Sequence, residues 1–190
     1  MIKEVILASK SPRRLELLTM LGYVVKTVVS DVDEASVKAD SPSSLAAKLA
    51  HLKAHAVADE LQKTDLPIIA ADTLVEVNGE ILGKPIDRDD AKRMLLLLSD
   101  SEHFVHTGIS VICNGREINI CDSAKVFFRA IDGDELEAYL DSGEPFDKAG
   151  AYGIQGKAGA FVKKIEGDFF SIMGLPLCAL TEALKKLTNQ

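Results

Sequence analysis

A polar segment near the start of the chain combines hydroxyl and guanidinium groups. It reads Ser9-Lys10-Ser11-Pro12-Arg13-Arg14 and joins a predicted strand to a predicted helix. A helix N-terminus attracts anions through its free N–H groups and its dipole, and arginine pairs well with phosphate. The alternative is a helix cap with two solvated arginines, but cations in the first helical turn oppose the dipole. The segment therefore predicts an anion pocket, most naturally for phosphates, lined by Ser9, Ser11, Arg13 and Arg14.

A carboxylate follows an apolar run in the middle of the chain. Asp72 comes directly after the apolar residues 67–71, and the apolar pattern resumes at Leu74. An ionised carboxylate in such a place is unfavourable unless it is paired or binds a metal ion. An aspartate that turns the chain at a strand end is the alternative. Because the strand pattern continues past Asp72, we favour a functional role, with Thr73 supplying a neighbouring hydroxyl.

Two lysines are candidates for neutralising a negative ligand. Lys53 falls inside the apolar arc of a helix predicted from Ser41-Pro42 to about Leu61. A lysine with a buried stem and a solvated amine would fit that position equally well. Lys84 stands in the loop Gly83-Lys84-Pro85, where a solvated lysine is the simpler interpretation.

An acidic loop supplies carboxylates that suit Mg²⁺ or Mn²⁺. Its charged residues are Asp31, Asp33 and Glu34. Both cations take oxygen ligands and commonly bridge to substrate phosphates. Solvated acidic loops are much commoner than metal sites, so this loop carries little weight by itself.

A glycine-rich segment covers residues 147–156, with the sequence Asp-Lys-Ala-Gly-Ala-Tyr-Gly-Ile-Gln-Gly. Glycines let a backbone approach a ligand closely, and the Gln155 amide can donate and accept hydrogen bonds at once, as base recognition requires. The alternative is a flexible connection without a ligand.

A histidine pair resembles only part of a metal motif. His51 and His55 have the i, i+4 spacing of two ligands on a helix. The matching glutamate and the third ligand of that motif are missing, so the sequence predicts surface histidines.

Apolar periodicity and turn signals predict the elements that position these residues. Strands are predicted at residues 5–8, 24–29, 67–77, 80–82, 105–113 and 118–128, and helices after Ser11, Ser41, Asp87 and Asp132 and around Leu177 to Leu184. Hairpins are predicted at Asn78-Gly79 and Asn114-Gly115, and a third between residues 160–165 and 169–173. Residues 144–159 are predicted to form a long loop. The pattern favours an α/β fold, a mixed sheet flanked by helices, with two lobes around a cleft.

The charge and cysteine content narrow the range of partners. The 190 residues include 22 lysines and arginines against 29 aspartates and glutamates, a net charge of −7. An acidic chain is poorly suited to nucleic acid or an anionic membrane, although a local site can still bind a small anion. Three cysteines match no metal or disulfide framework, and no segment has a membrane-spanning length of apolar residues. We expect a cytoplasmic protein with reduced thiols.

Taken together, these motifs resemble the Maf family of nucleoside triphosphate pyrophosphatases. The resemblance covers essentially the whole chain as a single Maf-like domain, residues 1–190. It is carried, in order, by Leu7-Ala8-Ser9 with Ser11-Pro12-Arg13-Arg14, Ala71-Asp72-Thr73, Gly83-Lys84-Pro85, the glycine-rich segment 147–156 and Gly174-Leu175-Pro176. It implies an elongated mixed sheet with a cleft, similar in shape to the inosine triphosphate pyrophosphatases.

The resemblance also implies an activity and roles for the site residues. Family members cleave a nucleoside triphosphate to the monophosphate and pyrophosphate with a divalent cation, and have been linked to septum formation. Asp72 matches the proton acceptor, and Glu34 matches an acidic residue near the metal that Asp72 also holds. The positions that match phosphate contacts in the family are Ser9, Arg13, Lys53 and Lys84. The positions that match determinants of base preference in the dTTP/UTP subgroup are Arg14, Thr73 and Gln155.

Two alternatives stay open beside a dTTP/UTP pyrophosphatase. One is a pyrophosphatase for modified or purine nucleotides such as 7-methyl-GTP. The other is a nucleotide-binding regulator of septum formation without turnover. The expected partner is a nucleoside triphosphate rather than nucleic acid or membrane, and the family implies a homodimer.

Overall fold

The computed structural model of the protein describes residues 3–62 and 64–188. Within these residues the backbone forms seven strands and six α-helices. The strands are β1 (Glu4–Leu7), β2 (Val24–Thr27), β3 (Ile68–Val77), β4 (Glu80–Leu82), β5 (Glu102–Cys113), β6 (Arg116–Phe128) and β7 (Val162–Glu166). The helices are α1 (Pro12–Met20), α2 (Pro42–Leu61), α3 (Arg88–Leu98), α4 (Gly133–Asp141), α5 (Phe169–Met173) and α6 (Leu177–Thr188).

The strands form one mixed sheet in the order β2-β1-β3-β5-β6-β7, with β4 paired to β3. Strands β1 and β2 are parallel, as are β1 and β3, whereas β4 and β7 pair antiparallel with their neighbours. The predicted α/β class with a mixed sheet is therefore confirmed.

The chain divides into two compact units. The first contains the described residues up to Asp72, Thr107–Asp122 and the described residues from Gly174 onward. The second contains Thr73–His106 and Ser123–Met173. Each unit has its own packing and is described separately.

Two parallel strands of the first unit, β1 and the first part of β3, are buried along their apolar residues. In β1, Val5, Ile6 and Leu7 are at most 4% exposed, and residues 68–71 of β3 are at most 1% exposed. Continuous apolar runs of this kind are typical of parallel strands covered on both faces. The register pairs Glu4 with Val24 and Ile6 with Ile68, so α1 and α2 are crossover connections between parallel strands.

Helix α2 begins and ends where the sequence predicts. Ser41 is the N-cap and its hydroxyl accepts a hydrogen bond from the Ser44 amide at 3.2 Å, while Pro42 takes the first helical position. The helix lies directly against strand β5, because a Cβ added to Gly108 would stand 2.3 Å from the Ala46 carbonyl oxygen. No residue larger than glycine fits at position 108 without moving the backbone.

The second unit combines a tight hairpin with an aromatic core. Asn78 and Gly79 both have positive φ, 51° and 81°, as the predicted two-residue turn between β3 and β4 requires. The core packs α3 and α4 against aromatic rings that meet edge to face, among them His103, Phe128, Tyr139, Tyr152 and Phe161.

The predicted third hairpin is wrong. Strand β7 pairs antiparallel with β6, but residues 169–173 form helix α5 instead of a second arm. The apolar composition of the segment suggested a strand. Gly167 has φ 118° and ends the strand, and the Asp168 carboxylate then accepts a hydrogen bond from the Phe170 amide at 2.9 Å. An aspartate that bonds the backbone two residues later favours a turn into a helix.

The predicted long loop at 144–159 is more ordered than the sequence suggested. It contains two short 3₁₀ helices, Glu144–Asp147 and Ala149–Ala151, and a third, Lys157–Phe161, overlaps its end. The glycines interrupt regular periodicity, which is why the sequence shows no element here.

Among the described residues, no helix is long and apolar enough to cross a membrane.

Candidate functional site

The segment between β1 and α1 is held in place by the Ser9 hydroxyl. Its oxygen accepts hydrogen bonds from the Ser11 amide at 3.2 Å and from Arg14 Nη1 at 3.1 Å. Ser11 occupies the predicted N-cap position, but its side chain makes no capping hydrogen bond. The structure thus brings Ser9 and Arg14 together at the N-terminus of the helix, where amides and guanidinium groups favour an anion.

A second contact of Arg14 explains a motif near the end of the chain. Arg14 Nε donates to the Gly174 carbonyl oxygen at 2.9 Å. The sequence singled out Gly174-Leu175-Pro176 only through the family resemblance. Its contact with Arg14 depends on residues 160 positions apart, and nothing in the local sequence indicates such a pairing.

Arg14 interacts electrostatically with the carboxylates of Asp72 and Glu34. Burial lowers the pKa of Arg14 below its ordinary value, an effect opposed by Asp72, reinforced by Arg13 and opposed again by Glu34. Arginine remains protonated in proteins even so. Arg14, in the first turn of α1, is therefore influenced by the charges of both carboxylates.

Lys53 lies between these two carboxylates. Its Nζ is 2.5 Å from Asp72 Oδ1 and 2.8 Å from Glu34 Oε1. The Lys53 side chain is 12% exposed and that of Asp72 is 9% exposed, whereas the Glu34 side chain is 55% exposed. Of the two interpretations of Lys53, the solvated amine is wrong, because the ammonium ends on a buried carboxylate.

Asp72 stands inside a strand, as the apolar pattern on both sides of it predicted. Strand β3 runs from Ile68 to Val77 through Asp72, so the alternative of an aspartate at a turn is wrong. Of the acidic loop, Glu34 begins a short 3₁₀ helix, Glu34–Ser36, and pairs with Lys53. In the described part of the chain, the ion pairs of Lys53 are with Glu34 and Asp72, not with Asp31 or Asp33.

The Asp72 and Glu34 carboxylates also fit a hard divalent cation. They approach one position from two elements, and a positive group, the Lys53 ammonium, already lies between them. Carboxylate oxygens are the ligands that Mg²⁺ and Mn²⁺ prefer. The donor set therefore suits the cation that the family resemblance implies.

The remaining candidate residues belong to the second unit. Thr73 follows Asp72 in β3 and is partly buried, while Lys84 and Gln155 are exposed in loops. A backbone hydrogen bond joins the two loops, because the Gly150 amide donates to the Gly83 carbonyl oxygen at 3.0 Å. The structure thus brings the Gly83-Lys84-Pro85 motif beside the glycine-rich segment.

Glu144 organises the glycine-rich segment and was missed in the sequence. Its carboxylate accepts hydrogen bonds from the Lys157 amide at 3.1 Å and the Tyr139 hydroxyl at 3.3 Å. Lys148 Nζ donates to the Glu144 carbonyl at 2.6 Å, and a Cβ at Gly156 would lie 2.0 Å from Glu144 Oε1. A glutamate in a predicted loop carries no periodic signal that would reveal this role.

The histidine pair lies partly exposed, as predicted for surface histidines, but a distant carboxylate joins it. Glu117 of β6 supplies the carboxylate that the local motif lacks: its Oε1 is 2.7 Å from His51 Nδ1 and its Oε2 is 3.0 Å from His55 Nε2. Burial disfavours the ionised carboxylate, but hydrogen bonds from His55, His51, Asn119 and Ser110 lower the pKa of Glu117 to about 2. Glu117 is more than 60 residues away in sequence, so helical spacing could not predict it.

The fold belongs to a known class of α/β proteins. It is similar to the structure of the Staphylococcus aureus Ham1 protein, with a TM-score of 0.58 over 97% of this chain and 99% of that one. The sequences are 17% identical, so this likeness concerns the fold alone.

The sequence comparisons identify the family. Residues 4–187 match the family described as Maf-like protein, and the chain belongs to the Maf family. It is 44% identical over 192 residues to the dTTP/UTP pyrophosphatase of Dechloromonas aromatica (strain RCB), covering 95% of this chain and 96% of that relative. It is 45% identical over 185 residues to the dTTP/UTP pyrophosphatase of Vibrio cholerae serotype O1, covering 97% and 98% of the two chains.

Proposed function

We propose that this protein hydrolyses dTTP and UTP to the monophosphate and pyrophosphate. Near full-length relatives that are 43–45% identical are named dTTP/UTP pyrophosphatases. The observation that carries the proposal is the cluster of Lys53, Asp72 and Glu34. Burial lowers the pKa of the nearby Arg14, and the two carboxylates of this cluster oppose that lowering.

In the proposed mechanism, Asp72 accepts a proton from the attacking water. The water oxygen attacks the α-phosphorus and forms a bond to it, the bond from that phosphorus to the α–β bridging oxygen breaks, and pyrophosphate leaves with the electron pair. Asp72 suits this role because it is 6% exposed and therefore held away from bulk water.

The basic side chains would stabilise the charge that moves onto pyrophosphate. We assign this role to Arg13, Lys53 and Lys84, with the hydroxyls of Ser9 and Ser11 and the α1 amides contacting phosphate oxygens. Asp72 and Glu34 would hold Mg²⁺ or Mn²⁺, which when bound supplies positive charge to the triphosphate oxygens.

Base preference is assigned to Arg14, Thr73 and Gln155. The Gln155 amide can donate and accept at the edge of a pyrimidine, and the Thr73 hydroxyl can do the same. The Gly150–Gly83 backbone bond supports this assignment, because it holds the Gln155 segment against the Lys84 loop.

The decisive experiment is a panel of triphosphates with product identification. The purified full chain is incubated with dTTP, UTP, GTP and 7-methyl-GTP, with Mg²⁺ or Mn²⁺, and products are separated by anion-exchange chromatography. Pyrophosphate and monophosphate from dTTP and UTP support the proposal. Preference for 7-methyl-GTP would favour the modified-nucleotide alternative, and binding without product would favour a regulator.

The setting of this activity is also part of the proposal. We infer one functional domain spanning residues 1–190, acting in the cytoplasm as a homodimer. The family match spans residues 4–187, and Cys113, Cys121 and Cys178 form no disulfide among the described residues, as in a reducing compartment. Light scattering of the purified chain tests the homodimer, and a monomer would refute it.

A further inference from the structure

Helix α2 and strand β6 bring two imidazoles and one carboxylate together in the first unit. His51 and His55 lie one helical turn apart, with ring centroids 4.3 Å from each other. One ligand atom from each histidine and one from Glu117 all lie within 4.8 Å of one another. Nothing in the proposed hydrolysis uses these three side chains.

We propose that His51, His55 and Glu117 bind a divalent transition-metal ion, with Zn²⁺ as the best fit. Two imidazole nitrogens and one carboxylate are an established donor set for Zn²⁺, which completes its tetrahedron with water. Imidazole also favours zinc over the hard cations Mg²⁺ and Mn²⁺. The site therefore differs in chemistry from the all-carboxylate pair of Asp72 and Glu34.

The site is also distinct in position. At about 100° per residue, His51 and His55 lie on the side of the helix opposite Lys53. Lys53 pairs with Asp72 and Glu34, whereas both histidines face Glu117. One helix thus presents a lysine to one acidic group and a histidine pair to another.

Two of the separations within the cluster are already close to those between ligand atoms around a zinc ion. Ligand atoms about 2.0–2.1 Å from a tetrahedral zinc ion lie about 3.3 Å apart. The two histidine–glutamate separations are 2.7 and 3.0 Å. All three ligand atoms lie within 4.8 Å of one another, and the His51 and His55 side chains, 41% and 45% exposed, can turn toward a shared ion.

Two further side chains orient the carboxylate. Ser110 Oγ donates to Glu117 Oε1 at 3.0 Å, and Asn119 Nδ2 donates to the same oxygen at 2.9 Å. Hydrogen bonds to a ligand carboxylate fix its orientation and raise metal affinity. A bound ion would tie α2 to β6 within this unit and stabilise the folded chain by mass action.

The test is a Zn²⁺ titration of the full chain by isothermal calorimetry, paired with thermal unfolding. The variants are the double substitution His51→Ala/His55→Ala, the isosteric Glu117→Gln, and Lys48→Ala as a matched control on the same helix. We expect one zinc ion per chain, a Tm that rises with Zn²⁺, and about 100-fold weaker binding in the first two variants. Lys48→Ala should bind like the unmodified chain.

An Asp72→Asn background separates this site from the proposed active site. Zinc binding that persists there but disappears in the histidine double variant supports the proposal. Binding that is lost with Asp72→Asn, or unchanged in both the double variant and Glu117→Gln, overturns it, as does the absence of binding in the unmodified chain. Circular dichroism confirms folding, and if the double variant is unfolded, Glu117→Gln decides the outcome.

Discussion

Two buried polar side chains, one in each unit, are accommodated in opposite ways. In the first unit, Asp72 is 6% exposed and forms an ion pair with the Lys53 ammonium. In the second, His103 is 1% exposed among aromatic rings, with Nε2 2.8 Å from the Tyr152 hydroxyl. Its Nδ1 is buried and has no hydrogen-bond partner among the described residues.

The difference between the two sites lies in whether the buried group takes part in an ion pair. Burial lowers the pKa of His103 to about 4 and raises the pKa of Tyr152, an effect that Tyr139 reinforces, so these groups stay neutral. A neutral hydrogen-bonded group suits an aromatic core, whereas a buried ion pair is a weak source of stability. The buried Lys53–Asp72 ion pair therefore fits the proposed role of Asp72 in hydrolysis better than a role in stability.

The largest effect on turnover should come from removing a charge in the cluster of Lys53, Asp72 and Glu34, here called the charged cluster. Asp72→Asn keeps the shape of the side chain and leaves Glu34 paired with Lys53, so the fold should persist. Turnover of dTTP should fall about 1,000-fold, equivalent to about 4 kcal/mol, because the proton acceptor is lost. The measurement is initial pyrophosphate release, with Asp33→Asn as the matched control. Near-normal turnover in Asp72→Asn would remove the catalytic assignment.

In the second unit, the stability of the aromatic core around His103 should instead depend on acid. His103 has a pKa of about 4 in the folded chain, below the ~6.5 of an unfolded histidine. The unfolded state therefore binds more protons than the folded state between about pH 4 and 6.5. The contribution of His103 to the free energy of unfolding is complete above about pH 6.5 and falls as the pH drops toward 4. From pH 7.5 to 4.5 the loss should be about 2–3 kcal/mol.

Urea unfolding at both pH values measures this loss, with His103→Phe as the comparison. Phenylalanine fills the ring volume but cannot titrate, so the variant should lose less stability on acidification than the unmodified chain. Equal losses in both proteins would show that His103 does not set the pH dependence.

A smaller effect is expected at the exposed edge of the charged cluster. Glu34→Gln removes a carboxylate whose side chain is 55% exposed, while Asp72 still pairs with Lys53. We expect turnover to fall about tenfold and the Mg²⁺ concentration for half-maximal activity to rise. A loss as large as that of Asp72→Asn would mean that the two carboxylates are equivalent.

The smallest effect should concern selectivity. Gln155→Ala leaves the charged cluster intact and should reduce the preference for UTP over GTP about fivefold, since a single neutral hydrogen bond contributes about 1 kcal/mol. The ratio of kcat/KM for the two nucleotides measures this. An unchanged ratio would exclude Gln155 from base recognition.

Local signals explain what the sequence predicted correctly. Helices α2, α3 and α4 begin after Ser41, Asp87 and Asp132, each of which accepts a hydrogen bond from an amide three residues later. Asp72 and Lys53 stood out because each interrupts an apolar pattern, and the structure pairs them at 2.5 Å. Charges that violate periodicity are visible without a structure.

What the sequence did not reveal depends on distant residues or on backbone details. Glu117 meets His51 from 66 positions away, and Arg14 meets the Gly174 carbonyl from 160 positions away. Helix α5 was mistaken for a strand because five residues are too few for periodicity to distinguish the two. The spacing of residues along the sequence cannot reveal contacts between residues so far apart.

The close approach of Gly108 to Ala46 has a consequence for how this protein can evolve. Helix α2 rests on β5 through backbone atoms, and Lys53 lies seven residues after Ala46, about two turns along the same line of the helix. The position of the Lys53 ammonium therefore depends in part on this main-chain contact. A larger residue at position 108 would displace α2 and, with it, the Lys53 ammonium beside Asp72, so a glycine distant in sequence constrains the site.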